Sequence, residues 1–372
     1  MRIGLEISPL AINASGIPNY ILRLLHGFAS VDKENQYFLY TNKPVPFDLA
    51  LPDNFRTVIV KRPLPRFQLW FQMALPLRLR KDKIDVFHGL FSRLPFVLPV
   101  PGVITIHDLS GYKMPGLHKR KTHFTNLIYP LFAKKASRII AVSEFTSKEL
   151  SSCFPEVSSK TTVIYEAAPP EYSEVTEESE LDRVREKYNL PSHFFLFLGT
   201  LEPRKNLPRL MEAFLQEVDS IPHSLIISGA IGWKTKELFN KLKISGAEDR
   251  IKLTGFVDRE DIPALLSLAG AFIYPSLYEG FGLPVLEAMA CGTPVITSNV
   301  SSMPEIAGDA ALLVDPLSTE SIANAISILA HDEGKRTLLR ERGLERAGEF
   351  SWEETARKTL EVYRLILSEE KN

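Results

Sequence analysis

Two doubly wound α/β domains, each built on a parallel sheet, are the fold class this sequence predicts. Three observations lead there. Short apolar runs alternate with amphipathic stretches along the chain, the pattern of strand and crossover helix many times repeated. The alternation breaks once, at the polar, Pro- and Glu-rich stretch from Glu166 to Glu178, and then restarts. The chain has 372 residues, enough for two ordinary domains with separate cores.

In the first half, Ile3 to Ile7, Tyr37 to Tyr40, Val58 to Val60, Asp85 to Phe87, Val103 to Ile106, Ile139 to Val142 and Thr162 to Tyr165 read as strands. Met1 to Ile7 carries Glu6 and a single Arg where a secretory leader needs a longer apolar core, so it reads as the first strand of the fold. Helical patterns fall between the strands, at Pro18 to Ala29, Phe67 to Arg80, Lys119 to Lys135 and Glu144 to Ser152. The stretch 169–178 cannot bury a core and reads as a linker, which divides the chain into a first domain 1–168 and a second 179–351. In the second half, strands are expected at Phe194 to Gly199, Ser224 to Ser228, Arg250 to Leu253, Ala271 to Tyr274, Pro294 to Thr297 and Ala311 to Val314. Trp352 to Leu367 is helical with no strand after it. Neither half has a Gly-x-Gly-x-x-Gly following a strand, which argues against a dinucleotide-dependent dehydrogenase.

The charged fraction of 24% and the hydrophobic fraction of 45% are those of a globular protein, not of a disordered one. No run approaches the roughly eighteen apolar residues of a transmembrane helix, and a cytoplasmic location is expected. Cys153 and Cys291 are too few and too far apart for a disulfide framework or a metal site. The net charge of −1 conceals an asymmetry: residues 1–165 carry 22 Lys and Arg against 11 Asp and Glu, and the remainder carries 22 against 34. A basic first half suits anions such as a phospholipid surface or a lipid-linked phosphate, and no motif supports nucleic acid. Two basic, aromatic stretches, Lys61 to Lys81 with Trp70 and Phe71, and Lys113 to Lys135, have two readings: amphipathic core helices with a solvated cationic edge, or segments lying on an anionic bilayer.

The residues richest in chemistry run from Ser276 to Val295. Glu279 follows the apolar run Ala271 to Tyr274, so its carboxylate sits at the C-terminal end of a strand, where open α/β sheets bind ligands. Gly280, Phe281, Gly282 and Leu283 lead into a helix with Pro284 in its first turn, so that bare backbone N–H groups and the helix dipole favour anionic oxygen. Glu287, one turn into that helix, suits the vicinal hydroxyls of a ribose, and Glu279 those of a hexose. Glutamates near helix starts also serve simply as dipole partners. A second loop, Gly199-Thr200-Leu201-Glu202-Pro203-Arg204-Lys205-Asn206-Leu207, places a guanidinium beside an ammonium, a pair fit to hold a diphosphate and to neutralise charge growing on a leaving group. In the first half, His107-Asp108 follows the strand Val103 to Ile106: the imidazole is a hydrogen-bonding group, and Asp108 fixes its tautomer or caps a turn. His88-Gly89 is a further acceptor-side candidate. Gly16, in Asn13-Ala14-Ser15-Gly16-Ile17-Pro18, stands before a helix, and Ser143 is an N-cap. Glu305 is a first-turn carboxylate. No Asp-x-Asp and no His or Cys cluster at metal spacing occurs, so no metal cofactor is expected.

Taken whole, the string from Ser276 to Val295 resembles the signature of retaining glycosyltransferases of family 4, and Arg204-Lys205, Thr105 to Leu109 and the Gly16 turn match further segments of the same family. The resemblance implies the GT-B fold, two Rossmann-like domains facing across a cleft, with the helix 352–372 crossing back to the first domain and hinges near 166–178 and Phe350 to Trp352. It implies that Gly16, Gly199, Gly280, Phe281, Gly282, Leu283 and Glu287 bind the donor, that His107 contacts the donor sugar, and that Glu279, Arg204 and Lys205 act at the reacting centre, with His88 and Asp108 on the acceptor side. Two departures stand out: Thr200 occupies the position after Gly199 where many members have Arg, leaving the guanidinium to Arg204, and Ser15-Gly16 replaces a common double glycine. The expected activity is metal-independent, retaining transfer of a hexose, mannose or glucose, from a UDP- or GDP-sugar to a glycan or lipid-linked acceptor of the cell surface. The site of action is expected in the cytoplasm, with peripheral contact at the inner membrane face. A nucleotide-sugar 2-epimerase and a non-catalytic carbohydrate-binding protein are the alternatives.

Overall fold

The computed structural model describes residues 1–11, 16–60, 69–114, 116, 130–232, 246–247 and 249–369. The chain divides into two compact units, Met1–Glu166 with Ser351–Asn372, and Ala167–Phe350.

Among the described residues the first unit holds seven strands: β1 (Arg2–Glu6), β2 (Gln36–Thr41), β3 (Phe55–Ile59), β4 (Val86–Gly89), β5 (Gly102–Ile106), β6 (Arg138–Ala141) and β7 (Thr161–Val163). They pair in the order β3-β2-β1-β4-β5-β6-β7, all parallel. The second unit holds β8 (Phe194–Leu198), β9 (Ser224–Ser228), β10 (Ile251–Gly255), β11 (Ala271–Tyr274), β12 (Val295–Ser298) and β13 (Ala311–Val314), in the order β10-β9-β8-β11-β12-β13, again all parallel. A parallel sheet is covered by helices on both faces, so its central strands must be apolar along their whole length. The buried runs Phe-Phe-Leu-Phe of β8 and Ala-Phe-Ile-Tyr of β11 obey this, and the edge strand β3, with Arg56 and Thr57 exposed, is released from it. In each sheet the order reverses between the first and fourth strands, β1 and β4 or β8 and β11, which opens a crevice at their C-terminal ends.

The strands expected from sequence are all present to within a few residues at their ends. The helix expected over Phe67 to Arg80 is a wide turn over Trp70–Ala74 followed by an α-helix, Leu75–Lys81. Pro76 has no N–H to donate into the preceding turn, and the ladder there slips so that the Leu75 N–H reaches the Trp70 carbonyl. Asn13 to Ser15, Lys61 to Gln68 and most of the helix expected over Lys119 to Lys135 lie outside the described residues; 130–135 are helical.

The stretch 169–178 differs from its expected role as a bare linker. It packs on the second unit, with Tyr172 buried, Glu174 paired with Arg340 through Nε at 3.0 Å, and the Val175 N–H donating to Ser267 Oγ at 3.0 Å. One aromatic anchor and one matched charge suffice to hold a polar segment on a surface. The C-terminal helix Trp352–Glu369 belongs to the first unit and lies along the helix Ile17–Val31. Their approach is close enough that a Cβ on Gly27 would stand 2.5 Å from the Trp352 carbonyl oxygen. Trp352 also meets Tyr20 edge-on at 5.8 Å.

Candidate active site

The crevice between β8 and β11 collects the charged residues of the second unit. The chain leaves β8 through Gly199 and reaches Arg204 and Lys205 in a single tight turn, Pro203–Lys205, that ends at Asn206 in the left-handed conformation, φ 62°. The Asn206 amide donates to the Pro275 carbonyl at 3.1 Å and to Pro316 at 2.7 Å, and the Leu277 N–H donates to the Arg204 carbonyl at 2.8 Å. These bonds tie the loop after β8 to the loop after β11, so residues over 70 positions apart share one cluster.

Within it Arg204 donates to Glu279 Oε2 at 2.6 Å, to the Tyr278 carbonyl at 2.7 Å and to Glu202 at 2.9 Å. Lys205 Nζ donates to Glu279 Oε1 at 2.7 Å and to the Tyr274 hydroxyl. Ser276 Oγ donates to the same Oε1 at 2.6 Å. Burial opposes charge on Glu279, but Arg204 and Lys205 outweigh it and hold its carboxyl down to about pKa 2. Lys205 is affected in the opposite sense: burial, with Arg204 alongside, pulls its ammonium below the usual lysine value against the attraction of Glu279. Glu279 therefore stands between the two cations, an arrangement sequence alone did not supply. The four charges, with Glu202, sum to zero.

Beyond Glu279 the backbone runs through Gly280 and Phe281, whose carbonyl accepts from Ser302 Oγ at 2.6 Å. Gly282 opens the helix Leu283–Ala290 at φ 116°, and a Cβ there would fall 2.3 Å from Met303 Cε, so two constraints select glycine. Glu287 stands in the middle of that helix, half-buried, near enough to Tyr172 and Cys291 for its charge to help raise the pKa of both. Among the described residues no three His, Cys, Asp or Glu side chains are grouped to hold a metal ion.

In the first unit Gly16, exposed and at φ 84°, caps the helix Ile17–Val31 and accepts the Tyr20 N–H at 3.0 Å. His107 follows β5 with Nδ1 3.0 Å from Glu166 Oε1 and Nε2 3.1 Å from the Leu90 carbonyl. Asp108 takes the second of its two expected roles: it caps a turn, accepting from the Ser110 N–H at 2.9 Å and Oγ at 2.7 Å. The partner that orients His107 is Glu166, which from sequence opens the polar stretch that follows. Its one sequence signal is its place just past a strand end. His88 is wholly buried, bonded to the Tyr363 hydroxyl at 2.6 Å and to Thr105 Oγ1 at 2.8 Å, which in turn meets the Tyr20 hydroxyl at 3.0 Å. Burial, helped by the charge of His107, lowers its pKa to about 3. Its position is thus a core one, against the expectation of an acceptor-side contact, because β4 lies at the centre of the sheet. Ser143 caps its helix as expected, accepting the Thr146 N–H at 3.0 Å.

Residues 178–346 match the family described as Glycosyl transferases group 1, and residues 14–172 match Glycosyltransferase Family 4. The O-antigen chain mannosyltransferase B of Escherichia coli is 33% identical over 353 residues, 93% of this chain and 91% of that protein. The chain is a family 4 glycosyltransferase. Solved structures agree on the fold: sucrose-phosphate synthase from Thermosynechococcus elongatus superposes with a TM-score of 0.78 at 23% identity, covering 99% of each chain. The Anabaena HepE structure in complex with UDP and glucose gives 0.74 at 19% identity, covering 97% of this chain and 98% of that one. Both units are accounted for as the two parallel-sheet domains of a GT-B glycosyltransferase.

Proposed function

We propose that this glycosyltransferase moves a mannosyl group from a UDP- or GDP-sugar to a hydroxyl of a glycan or lipid-linked acceptor, with retention at the anomeric carbon and without a metal. The observation that carries this is the Arg204–Glu279–Lys205 cluster at the switch point of the second sheet. Two preorganised cations there offer N–H donors to a diphosphate as the glycosidic bond breaks. The departing phosphate oxygen takes the acceptor proton on the same face of the sugar, so no protein nucleophile is required. Mannose is favoured over glucose by the likeness to the Escherichia coli mannosyltransferase. The direct test is transfer of labelled mannose from GDP- and UDP-mannose, with and without EDTA, to lipid-linked glycan. Activity abolished by chelation and restored by Mn²⁺ would overturn the metal-free reading.

Glu287 serves the ribose of the donor. Glu287→Ala is expected to weaken nucleoside diphosphate binding about tenfold or more per hydrogen bond lost to a charged group, roughly 1.5–3 kcal/mol each. Glu279→Ala is expected to act more on turnover than on that affinity. Calorimetry with GDP and UDP against transfer rates separates the two, and equal effects on affinity would refute the division of roles.

The first unit meets an anionic membrane surface. No described helix is long and apolar enough to cross a bilayer. Met73 and Leu77 are nonetheless exposed on one side of the segment Trp70–Lys81, and Phe96, Val97 and Leu131 are exposed as well. Their segments are joined: the Phe96 N–H donates to Gln72 at 2.7 Å, Phe96 stacks on Phe132 at 5.6 Å, and Lys135 reaches the Phe96 carbonyl. Exposed Arg80 and Lys81 end the first of these segments and exposed Lys134 and Lys135 follow Phe132 in the other. Such a patch suits the interface of an anionic bilayer. Vesicles containing phosphatidylglycerol should sediment the protein where phosphatidylcholine vesicles do not, and Leu77→Asp with Phe96→Asp should abolish the difference.

A further inference from the structure

His107 has a hydrogen-bond acceptor on each ring nitrogen, the Glu166 carboxylate at Nδ1 and the Leu90 carbonyl at Nε2. A carbonyl has no proton to give, so Nε2 carries one. Nδ1 faces a carboxylate, which when ionised also only accepts, so Nδ1 carries the other and the ring is an imidazolium. A neutral ring satisfies both contacts only if its second proton passes to Glu166, and the surroundings oppose that transfer. Asp108 adds a second negative charge beside the ring, Tyr20 of the helix Ile17–Val31 presents its own ring edge-on at 4.5 Å, and His88 on β4 is kept neutral by burial. No cation among these groups competes with His107. Although burial pushes its pKa down, the contact with Glu166, the carbonyl of Leu90 and the charge of Asp108 raise it overall.

The carboxylate is itself held in place. Glu166 is the last residue of the first unit before the chain enters the second. One residue earlier, the Tyr165 carbonyl accepts from Thr355 Oγ1 at 2.7 Å, so the C-terminal helix fixes the backbone from which Glu166 projects.

We propose that Glu166 is a positioning residue that keeps His107 protonated on both nitrogens with its ring fixed, so that His107 meets the donor as a cation and never as a base. This rests on the reading of His107 as a donor contact. It also deepens that reading, since a histidine with no lone pair leaves the acceptor proton to the departing phosphate. The sign of the pH dependence follows. A histidine whose pKa is raised in the folded enzyme is charged at low pH and loses its proton as pH rises through that value, so kcat/KM should fall on the alkaline side.

The test pairs two readouts on Glu166→Gln. Imidazole ¹⁵N NMR of the nucleotide-free enzyme should show His107 charged at pH 7 in the parent, with its midpoint displaced to lower pH by one unit or more in Glu166→Gln and partly restored in Glu166→Asp. The alkaline limb of kcat/KM for mannosyl transfer should move with it, a loss approaching tenfold per unit of displacement at pH above both midpoints that recovers at pH 5.5. A His107 neutral at pH 7 in the parent, or a midpoint unmoved in Glu166→Gln, overturns the proposal, and the first of these needs no variant to fold. A midpoint that moves while the kinetic limb stays refutes the role of His107 at the donor and leaves the cation cluster of the second unit untouched.

Discussion

Lys205→Met is expected to lower the turnover of glycosyl transfer at least a hundredfold, the size typical of removing one preorganised electrostatic contact from a reacting centre. The methionine keeps most of the volume of the buried lysine stem and removes only the charge. Lys205 Nζ bonds Glu279 and lies 4.8 Å from the centre of the Tyr274 ring, so its loss also removes the cation from one oxygen of a buried carboxylate, which keeps its bond from Ser276 Oγ. Breaking a buried ion pair from one side costs about 3–5 kcal/mol, and Arg204, still bonded to Glu279 at 2.6 Å, keeps the effect at the lower end. The two consequences are separable by measuring kcat well below the melting temperature of the variant. A variant that melts earlier but turns over normally would show that the cluster is structural only. Arg204→Ala should match it in rate. The same cluster fixes a pH response: because the folded-state pKa of Glu279 is depressed to about 2, its ionic contribution to stability is complete above the ordinary glutamate value and is lost as pH falls from there towards 2.

Deleting residues 351–372 is expected to unfold the first unit. The helix Trp352–Glu369 buries Trp352, Leu360, Val362, Tyr363 and Ile366 within that unit. At roughly 1.5–3 kcal/mol for each large apolar side chain buried, the loss is on the order of 10 kcal/mol, as large as the whole stability of an ordinary domain. A milder variant, Tyr363→Phe, leaves Nδ1 of the buried His88 without its partner and should cost about 1–3 kcal/mol. Limited proteolysis should find the deleted protein cut throughout residues 1–166 while 167–350 resists. Retention of cooperative unfolding by both units would refute the assignment of this helix to the first.

The strands were legible because parallel strands buried on both faces must be apolar without interruption, and a run such as Phe194 to Leu198 has no other comfortable place in a fold. The loops at their C-terminal ends were legible for a related reason: a glycine with Arg204 and Lys205, or with Glu279, just past a buried strand marks the ligand edge of the sheet. What could not be read was who meets whom. Glu279 and Lys205 lie 74 positions apart, and only the sheet order, with β11 beside β8, brings them to 2.7 Å. Glu166 was hidden for another reason. Composition gave it to the polar stretch that follows, but its side chain turns back to His107, and only tertiary structure decides that direction.

The first unit is assembled from both ends of the chain, whereas the second is a single uninterrupted stretch. During synthesis the usual order is therefore reversed. The second unit emerges complete while the first still lacks the helix that covers Ile17–Val31, and at ~5–20 residues per second the wait from residue 167 to residue 369 is roughly 10–40 s. For that interval the side of the first helix that meets Trp352–Glu369 lacks its native cover, a period in which a ribosome-bound chaperone has a defined client. Chains stalled shortly after residue 350 and probed by protease should show the second unit protected and the first open.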